Sequence, residues 1–348
     1  MPEPHAGTPS VTFLCTAYRT ETTIEETLDS ICAQTRPDWQ LVVVDNGPSD
    51  TIAALVEPYL DDPRVSLVRQ ENSRAAGGVN AAARHARGRY VAVLHTDDLV
   101  EPAFVERLVP LLDADPGTAA LACDARYLAE YGLRRPTFRG PVPAHLKRGD
   151  PLTLREMLEG WVPYYTALIR REVWDEIGGF RHDTPTVEDL AFWVDLLAAG
   201  YSLRTLDEPL AVYRENEESD SRGARGVEIM EASRERVLTE AVERFGTADD
   251  RRALAGMLTD SRHRRAIVQA RRLLVDGDLP GAQDAARRAL AERRDSRTRL
   301  IATALTHWPR AARRVYRAKK ALRRRGRSVA ARVRVSRPRR PSSPSAKV

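Results

Sequence analysis

Cysteine is scarce in this sequence. Its 348 residues hold three, Cys15, Cys32 and Cys123, far apart and without CxxC spacing. Neither a zinc cluster nor a disulfide framework is expected from them, and free thiols in a reducing cytoplasm are. Long apolar runs are also missing. No stretch approaches ~18 uncharged apolar residues, so no transmembrane helix is expected. MPEPHAGTPS, at the N-terminus, has neither the basic nor the apolar part of a secretory signal. Acidic residues are absent from Arg310 onward. That segment carries 16 of the 55 Lys and Arg, so the rest of the chain sets 39 basic residues against 49 acidic ones. The net charge of +6 therefore belongs to the tail. The body is acidic, and the two need separate explanations.

What is present alternates regularly. VTFLCT (11–16) reads as a short buried strand, and ETTIEETLDSICAQ places Ile24, Leu28 and Ile31 at helical spacing. QLVVVDN (40–46) is a continuous apolar, β-branched run ending in a polar turn, which is the pattern of an interior parallel strand. A helix over 51–60, a strand over 65–70, a helix over 79–87, the strand YVAVLH (90–95) and a helix over 102–115 follow. Strand alternating with helix through short connections predicts an α/β fold with a mostly parallel sheet. The proline-rich stretch 134–151 reads as a loop, 152–159 as a helix, and TALIRREVWDEIGGF as a strand and then a helix ending at a glycine pair. VEDLAFWVDLLAAGY predicts an amphipathic helix with Leu190, Trp193 and Leu197 on one side and Gly200 at its C-cap. LRTLDEPLAVYR is another strand, and ENEESDSRGARG a polar, mobile connection. Beyond about residue 227 the pattern is helical. ARRLLVDGDLPGAQDAARRAL predicts two helices joined at Gly277-Asp278, like a single tetratricopeptide hairpin. The expected organisation is a disordered 1–9, an α/β domain over 10–225, a helical region over 226–327 and a disordered basic tail over 328–348.

In parallel sheets ligands bind at the carboxyl ends of the strands. Asp45, Asn46, Asp97 and Asp98 all fall there. Adjacent carboxylates repel, and a cation would settle the Asp97-Asp98 pair. A helix N-cap pair before LVEPAF is the other reading of those aspartates.

Several stretches together resemble the family 2 inverting glycosyltransferases of the GT-A fold. They are VTFLCTAYRTETTIEETLDSICAQT, LVVVDNGPSD, Glu71-Asn72 with Asn80 eight residues on, GRYVAVLHTDD, and GGF followed by VEDLAFWVDLLAAGY. The resemblance spans about residues 10–215, in order. It implies a Rossmann-like GT-A sheet flanked by helices, ahead of the all-helical C-terminal region. It implies a nucleotide-diphosphate sugar as donor, foremost a UDP-sugar, and a divalent metal, Mn2+ or Mg2+. By the same resemblance Asp97 holds the metal, with Asp98 and His95 as further candidates. His95 stands where the family's DxD has its first acid, and a buried structural histidine is its other reading. Thr16, Tyr18, Asp45, Asn46, Arg74 and Asn80 are implied at the nucleotide sugar. VEDL matches the family's Glu-Asp motif, which makes Asp189 the base for the acceptor hydroxyl, with Glu188 in support. Alternatively these two are solvated acids in a helix's first turn. Trp193 is read as core or as an acceptor contact.

There are departures from the family pattern. Arg74 and Val79 replace a usual glycine and arginine, so Arg74 or the Gly77-Gly78 backbone is left to meet the diphosphate. Asn216 stands where many members carry a metal-binding histidine. The Gln-x-x-Arg-Trp signature of processive polymerases is absent, which implies transfer of single sugars to a glycan or lipid-linked acceptor. Two other functions compete: an inactive scaffold of the same fold acting through its C-terminus, and nucleotidyl transfer. TAYRTETT lacks the glycine-rich, basic phosphate loop that the latter wants.

The C-terminal stretch LIATALTHWPRAARRVYRAKKALRRRG places apolar residues at Ile301, Leu305, Trp308, Ala312, Val315 and Leu322, with Pro309 suited to a helix's first turn. A basic helix over 309–325 has two main readings: packing on the acidic body, or lying on an anionic membrane surface at the inner face of the plasma membrane. Nucleic acid is a third and weaker partner, because no recognition motif accompanies the charge.

Overall fold

The computed structural model of the chain describes residues 8–129, 132–135, 149–215 and 224–318. In chain order the elements are β1 (Val11–Ala17), α1 (Ile24–Cys32), β2 (Trp39–Asn46), α2 (Asp50–Val56), β3 (Val65–Gln70), α3 (Arg74–Ala83), β4 (Tyr90–His95), β5 (Leu99–Val100), α4 (Phe104–Asp113), β6 (Thr118–Ala129) and β7 (Gly132–Arg135). They continue with α5 (Leu154–Leu158), β8 (Ala167–Arg170), α6 (Arg171–Ile177), α7 (Glu188–Ala198), β9 (Ser202–Arg214), α8 (Ala224–Phe245), α9 (Ala248–Asp276), α10 (Leu279–Glu292) and α11 (Ser296–His307). Residues 309–318 are helical as well.

The strands form one mixed, mostly parallel sheet in the order β3-β2-β1-β4-β8-β6-β9-β5, with β7 paired to β6. β3, β2, β1 and β4 run parallel, β8 runs antiparallel to β4 and β6, and β9 lies parallel to β6. Both faces are covered. Leu14, Val42, Val44, Val91 and Val93 pack with α3, α6 and α7 on one side. Phe13, Cys15, Leu41, Val43, Ala92 and Leu94 pack with α1, α2 and α4 on the other. This double burial is why the central strands read as unbroken apolar runs.

The helical region is not detached from that core. Val237, Leu238, Ala241 and Val242 of α8 and Met257 of α9 complete the face carrying α5 and α7. α9 starts at a reciprocal capping box, in which Thr247 and Asp250 each accept the other's backbone N–H. It ends at Gly277, whose φ of +97° turns the chain into Asp278, the N-cap of α10. That is the hairpin expected at Gly277-Asp278. α9, α10 and α11 share a smaller core of Ala270, Leu274, Ala282, Ala285, Ala286, Ala302 and Leu305.

Four expectations need correction. α3 begins at Arg74 rather than 79 and ends at Ala83, because Gly77 and Gly78 lie inside the helix instead of breaking it. The long strand β6 was not expected at all. α7 is buried on nearly every side rather than along one stripe; Leu190, Ala191, Phe192, Trp193, Val194 and Leu196 are all buried. Its C-cap is Ala199 rather than Gly200, which follows at φ +84° and donates its N–H to Leu197 O at 3.0 Å. The end segments 1–7 and 319–348, most of the 134–151 loop, the polar connection at 216–223 with Asn216, and Leu322 lie outside the described residues.

Asn80 fastens α3 to the turn after α6. Its Nδ2 donates to Phe180 O and its Oδ1 accepts from Phe180 N–H, both at 2.8 Å. Gly179 makes the approach possible: its φ is +74°, and a Cβ there would lie 2.5 Å from Asn80 Oδ1. Asn80→Ala leaves both backbone groups of Phe180 without that partner, and we expect a loss of about 1–3 kcal/mol in urea unfolding. Gly179→Ala is expected to lower the midpoint too. An unchanged Asn80→Ala midpoint would mean that water replaces the amide without loss.

Candidate active site

Strand register gathers the expected residues along one edge. Thr16 pairs with Val44 on one side and His95 on the other, and Ala17 pairs with Asp45. The carboxyl ends of β1, β2 and β4 are thus level, and α3 starts above them. The contact is tight: a Cβ on Gly78 would lie 2.1 Å from Thr16 Oγ1. Thr16 Oγ1 is buried and has no hydrogen-bond partner among the described residues. An orphaned buried hydroxyl at a strand's end is a group a ligand can satisfy.

Asp45 is 1% exposed. Its Oδ2 accepts from Ser49 N–H at 2.8 Å and from Arg69 Nε at 3.1 Å. Asn46, expected beside it at the nucleotide, faces inward instead. Its Oδ1 accepts from Gln70 Nε2 at 2.9 Å and Ser73 N–H at 3.1 Å, and its Nδ2 donates to Arg74 O at 2.9 Å. Asn46 therefore builds the turn that carries Arg74, whose φ of +62° is left-handed. Asn72 Oδ1 braces the same turn by accepting Arg74 N–H at 2.8 Å. The Arg74 side chain is exposed. Tyr18 stands half-exposed over Gly47, where any Cβ would sit 3.1 Å from its ring. Val79, by contrast, is fully buried and out of reach of a ligand, and Asn80 is spent on Phe180 as described.

The two adjacent aspartates have different fates. Asp98 is 1% exposed. Its Oδ2 accepts from Tyr164 Oη at 2.8 Å and Tyr165 Oη at 2.6 Å, and its Oδ1 from Arg214 N–H at 2.7 Å. Burial, and then the neighbouring charge of Asp97, push its pKa up to about 7 against the pull of those donors. Asp97 makes no side-chain hydrogen bond or ion pair with any described residue; only its carbonyl is used, accepting from Arg214 Nε at 2.8 Å. Arg214 also pairs with Glu26 of α1. His95 packs against Tyr165 with ring centroids 4.6 Å apart. Burial lowers its pKa, with Asp97 pulling the other way.

The expected metal set of Asp97, Asp98 and His95 is accordingly not a cage. Among the described residues no three His, Cys, Asp or Glu side chains gather as one. Both oxygens of Asp98 are taken, and the His95 ring packs at a tilt against Tyr165. Of these three, Asp97 alone keeps a carboxylate without a partner among the described residues. That suits Mg2+ or Mn2+, which take one or two protein carboxylates and complete their shell with substrate phosphates and water.

Glu188 and Asp189 open α7. Burial raises both pKa values. Glu188 reaches about 7, raised further by Asp189 and drawn down by Arg74. Asp189 Oδ1 accepts from Leu190 N–H at 2.8 Å. The Arg74 charge, at the start of α3, is felt at Glu188, at the start of α7. A Cβ on Gly77 would lie 3.3 Å from His182, which brings the 180s loop to the same place. Trp193 is 1% exposed and belongs to the core, so its acceptor-contact reading is set aside. Tyr164, Tyr165 and Arg214 were not anticipated. The Tyr pair after Pro163 and the arginine ending a strand were the only signals.

Residues 12–179 match the family model described as Glycosyl transferase family 2. Succinoglycan biosynthesis protein ExoO of Rhizobium meliloti is 37% identical over 152 residues, covering 43% of this chain and 42% of that protein. The uncharacterized glycosyltransferase EpsJ of Bacillus subtilis is 28% identical over 222 residues, covering 61% of this chain and 62% of that one. A solved structure of S. aureus TarS in complex with UDP-GlcNAc superposes with a TM-score of 0.54 at 16% identity, covering 85% of this chain and 91% of the other. The mannosyltransferase PcManGT from Pyrobaculum calidifontis, in complex with GDP-Man and Mn2+, gives 0.55 at 20% identity, covering 94% and 87%. At such identities the structures speak for the fold alone, which is GT-A-like. The segment 12–179, just under half of the chain, is thus similar to glycosyl transferase family 2 and lies on a GT-A-like sheet.

Proposed function

We propose that residues 10–225 carry out inverting transfer of a single sugar from a nucleotide-diphosphate sugar to an acceptor hydroxyl, in the synthesis of a cell-surface glycan or glycolipid. The observation that carries this reading is the unequal aspartate pair, with Asp98 tied down so that Asp97 stays free at the end of β4. The description of ExoO as a succinoglycan biosynthesis protein supports the glycan context. The UDP-GlcNAc and GDP-Man complexes of the two structural neighbours support the donor class.

Each residue has a task in this reading. Tyr18 and Asp45 receive the nucleoside, and the orphaned Thr16 hydroxyl gains a partner. Exposed Arg74 meets the diphosphate. Asp97 would hold a divalent cation, which supplies positive charge where the leaving diphosphate gathers negative charge. Asp189 takes the acceptor's proton as the hydroxyl attacks the anomeric carbon from the face opposite the nucleotide. Burial suits it to this, because a raised pKa makes a carboxylate a stronger base. Glu188 supports Asp189 and faces Arg74.

The test is donor binding and turnover with UDP-, GDP- and dTDP-sugars, with and without Mn2+ or Mg2+. Asp97→Ala is expected to abolish metal-dependent donor binding. Asp189→Asn should keep donor binding in calorimetry while slowing turnover roughly 10²–10⁴-fold. If no nucleotide sugar binds with either metal, the catalytic reading falls and the scaffold reading takes its place.

Glu188 gives a separate prediction. Folding raises its pKa from near 4.5 to about 7. Its stabilising contribution is therefore fully present below the unfolded value and lost as pH rises through 7. Glu188→Gln should raise the melting temperature of the ligand-free protein at pH 8 relative to the native sequence, with the gap closing toward pH 4. A pH-independent difference would mean that the carboxyl is not perturbed.

A further inference from the structure

We infer that α11 and the helix over 309–318 together present a docking face for an anionic lipid bilayer. The most exposed large hydrophobic side chains of the described residues all lie here: Leu300 at 71%, Val315 at 68% and Trp308 at 65%. Residues 296–318 also carry six arginines and no Asp or Glu. Arg297, Arg299, Arg310, Arg314 and Arg317 are exposed beside the apolar side chains.

The opposite side of the pair is already occupied. Ala302 and Leu305 belong to the core shared with α9 and α10, and Ile301, Ala312 and Tyr316 pack against it. Gln283 Nε2 donates to Leu305 O at 2.9 Å, and Arg313 donates to Val275 O at 3.2 Å. The two helices meet at Trp308, whose N–H donates to Ala304 O and whose carbonyl accepts from Ala312 N–H, both at 2.9 Å. Inward packing thus fixes the pair on the body and leaves Leu300, Trp308 and Val315 to solvent.

Charge and chemistry choose the occupant. Bare aliphatic and indole groups among arginines match the interface of an anionic bilayer, where the indole sits at headgroup level and each basic residue is attracted to the surface. A symmetric contact with a second copy would set arginine against arginine. Nucleic acid answers the arginines but gives the exposed aliphatic groups nothing to bury against. Among the described residues no helix is long and apolar enough to cross a membrane, so the contact is one of lying on the surface.

Trp308 provides the readout, because Trp39, Trp161, Trp174 and Trp193 are each 8% exposed or less. The full chain is mixed with phosphatidylcholine vesicles, or with equal parts phosphatidylcholine and phosphatidylglycerol. We expect co-sedimentation with the anionic vesicles only, weakened by salt, with a blue shift of tryptophan emission and quenching by brominated lipid. Trp308→Phe should still bind but lose the shift. Arg314→Gln should weaken binding about fivefold, in line with the attraction of one basic residue to an anionic surface. Three results would overturn the proposal: equal binding to neutral vesicles, binding without any change in Trp308 emission, or a shift brought about by duplex DNA or by self-association in place of vesicles.

Discussion

The buried carboxylate of Asp98 is the group on which the site depends. Two neighbouring aspartates at a strand end repel, and the fold gives them unlike surroundings. Burying a carboxylate is costly unless its oxygens are satisfied. Here two tyrosine hydroxyls and a backbone N–H satisfy them. That arrangement ties the end of β4 to the Tyr164-Tyr165 segment and to the last residue of β9. Arg214 extends the tie to α1 through Glu26. The turn is held from three directions, and the carboxylate left over, Asp97, makes no side-chain hydrogen bond or ion pair with any described residue.

A second constraint is the closeness of α3 to the sheet. Gly78 over Thr16 lets the helix sit where a side chain would collide, and Gly77 leaves room for Ser73, the helix's own N-cap. Two asparagines then fix it at either end, Asn46 at the turn into it and Asn80 against Phe180. Both residues resemble ligand contacts in the sequence, and both bond to backbone. The strained φ of Arg74 follows from the turn Asn46 builds, and strain of this kind persists only where the surroundings over-determine it. The α3 N-terminus is braced as a result, and what it presents there is the exposed side chain of Arg74.

The central strands were legible because burial on both faces leaves its mark in every residue of β1, β2 and β4. β6 left no such mark. TAALACDARYLA is rich in alanine, which has little strand preference, and its conformation comes from pairing with β8 and β9. The start of α3 was misread because glycine ordinarily breaks helices, and nothing local announces that a helix must pass within a Cβ's width of a strand. The aspartates at 97 and 98 stand out in the sequence as an adjacent pair, but not as two residues with unlike surroundings. What separates them comes from residues 66, 67 and 116 positions away, a distance over which local pattern carries no information. Asp189 and Glu188 stand out in the sequence by motif. Their raised pKa values arise from packing and could not have been read from the motif.

The C-terminal helices illustrate a limit of reading amphipathicity from a linear pattern. Six apolar positions at near-helical spacing suggest a single face. The break at Trp308 divides them between two destinations. Ile301, Leu305 and Ala312 turn toward α9 and α10, and Trp308 and Val315 turn outward, joined there by Leu300. Burying a large apolar side chain is worth about 1.5–3 kcal/mol, and isolated exposed ones are common. Three of them within sixteen residues, among arginines with no acid to neutralise them, are not explained by the body they sit on. On the function and the docking face proposed above, the acidic body and the basic end of the chain would have separate tasks: one would receive an anionic substrate, and the other would hold the protein against an anionic surface.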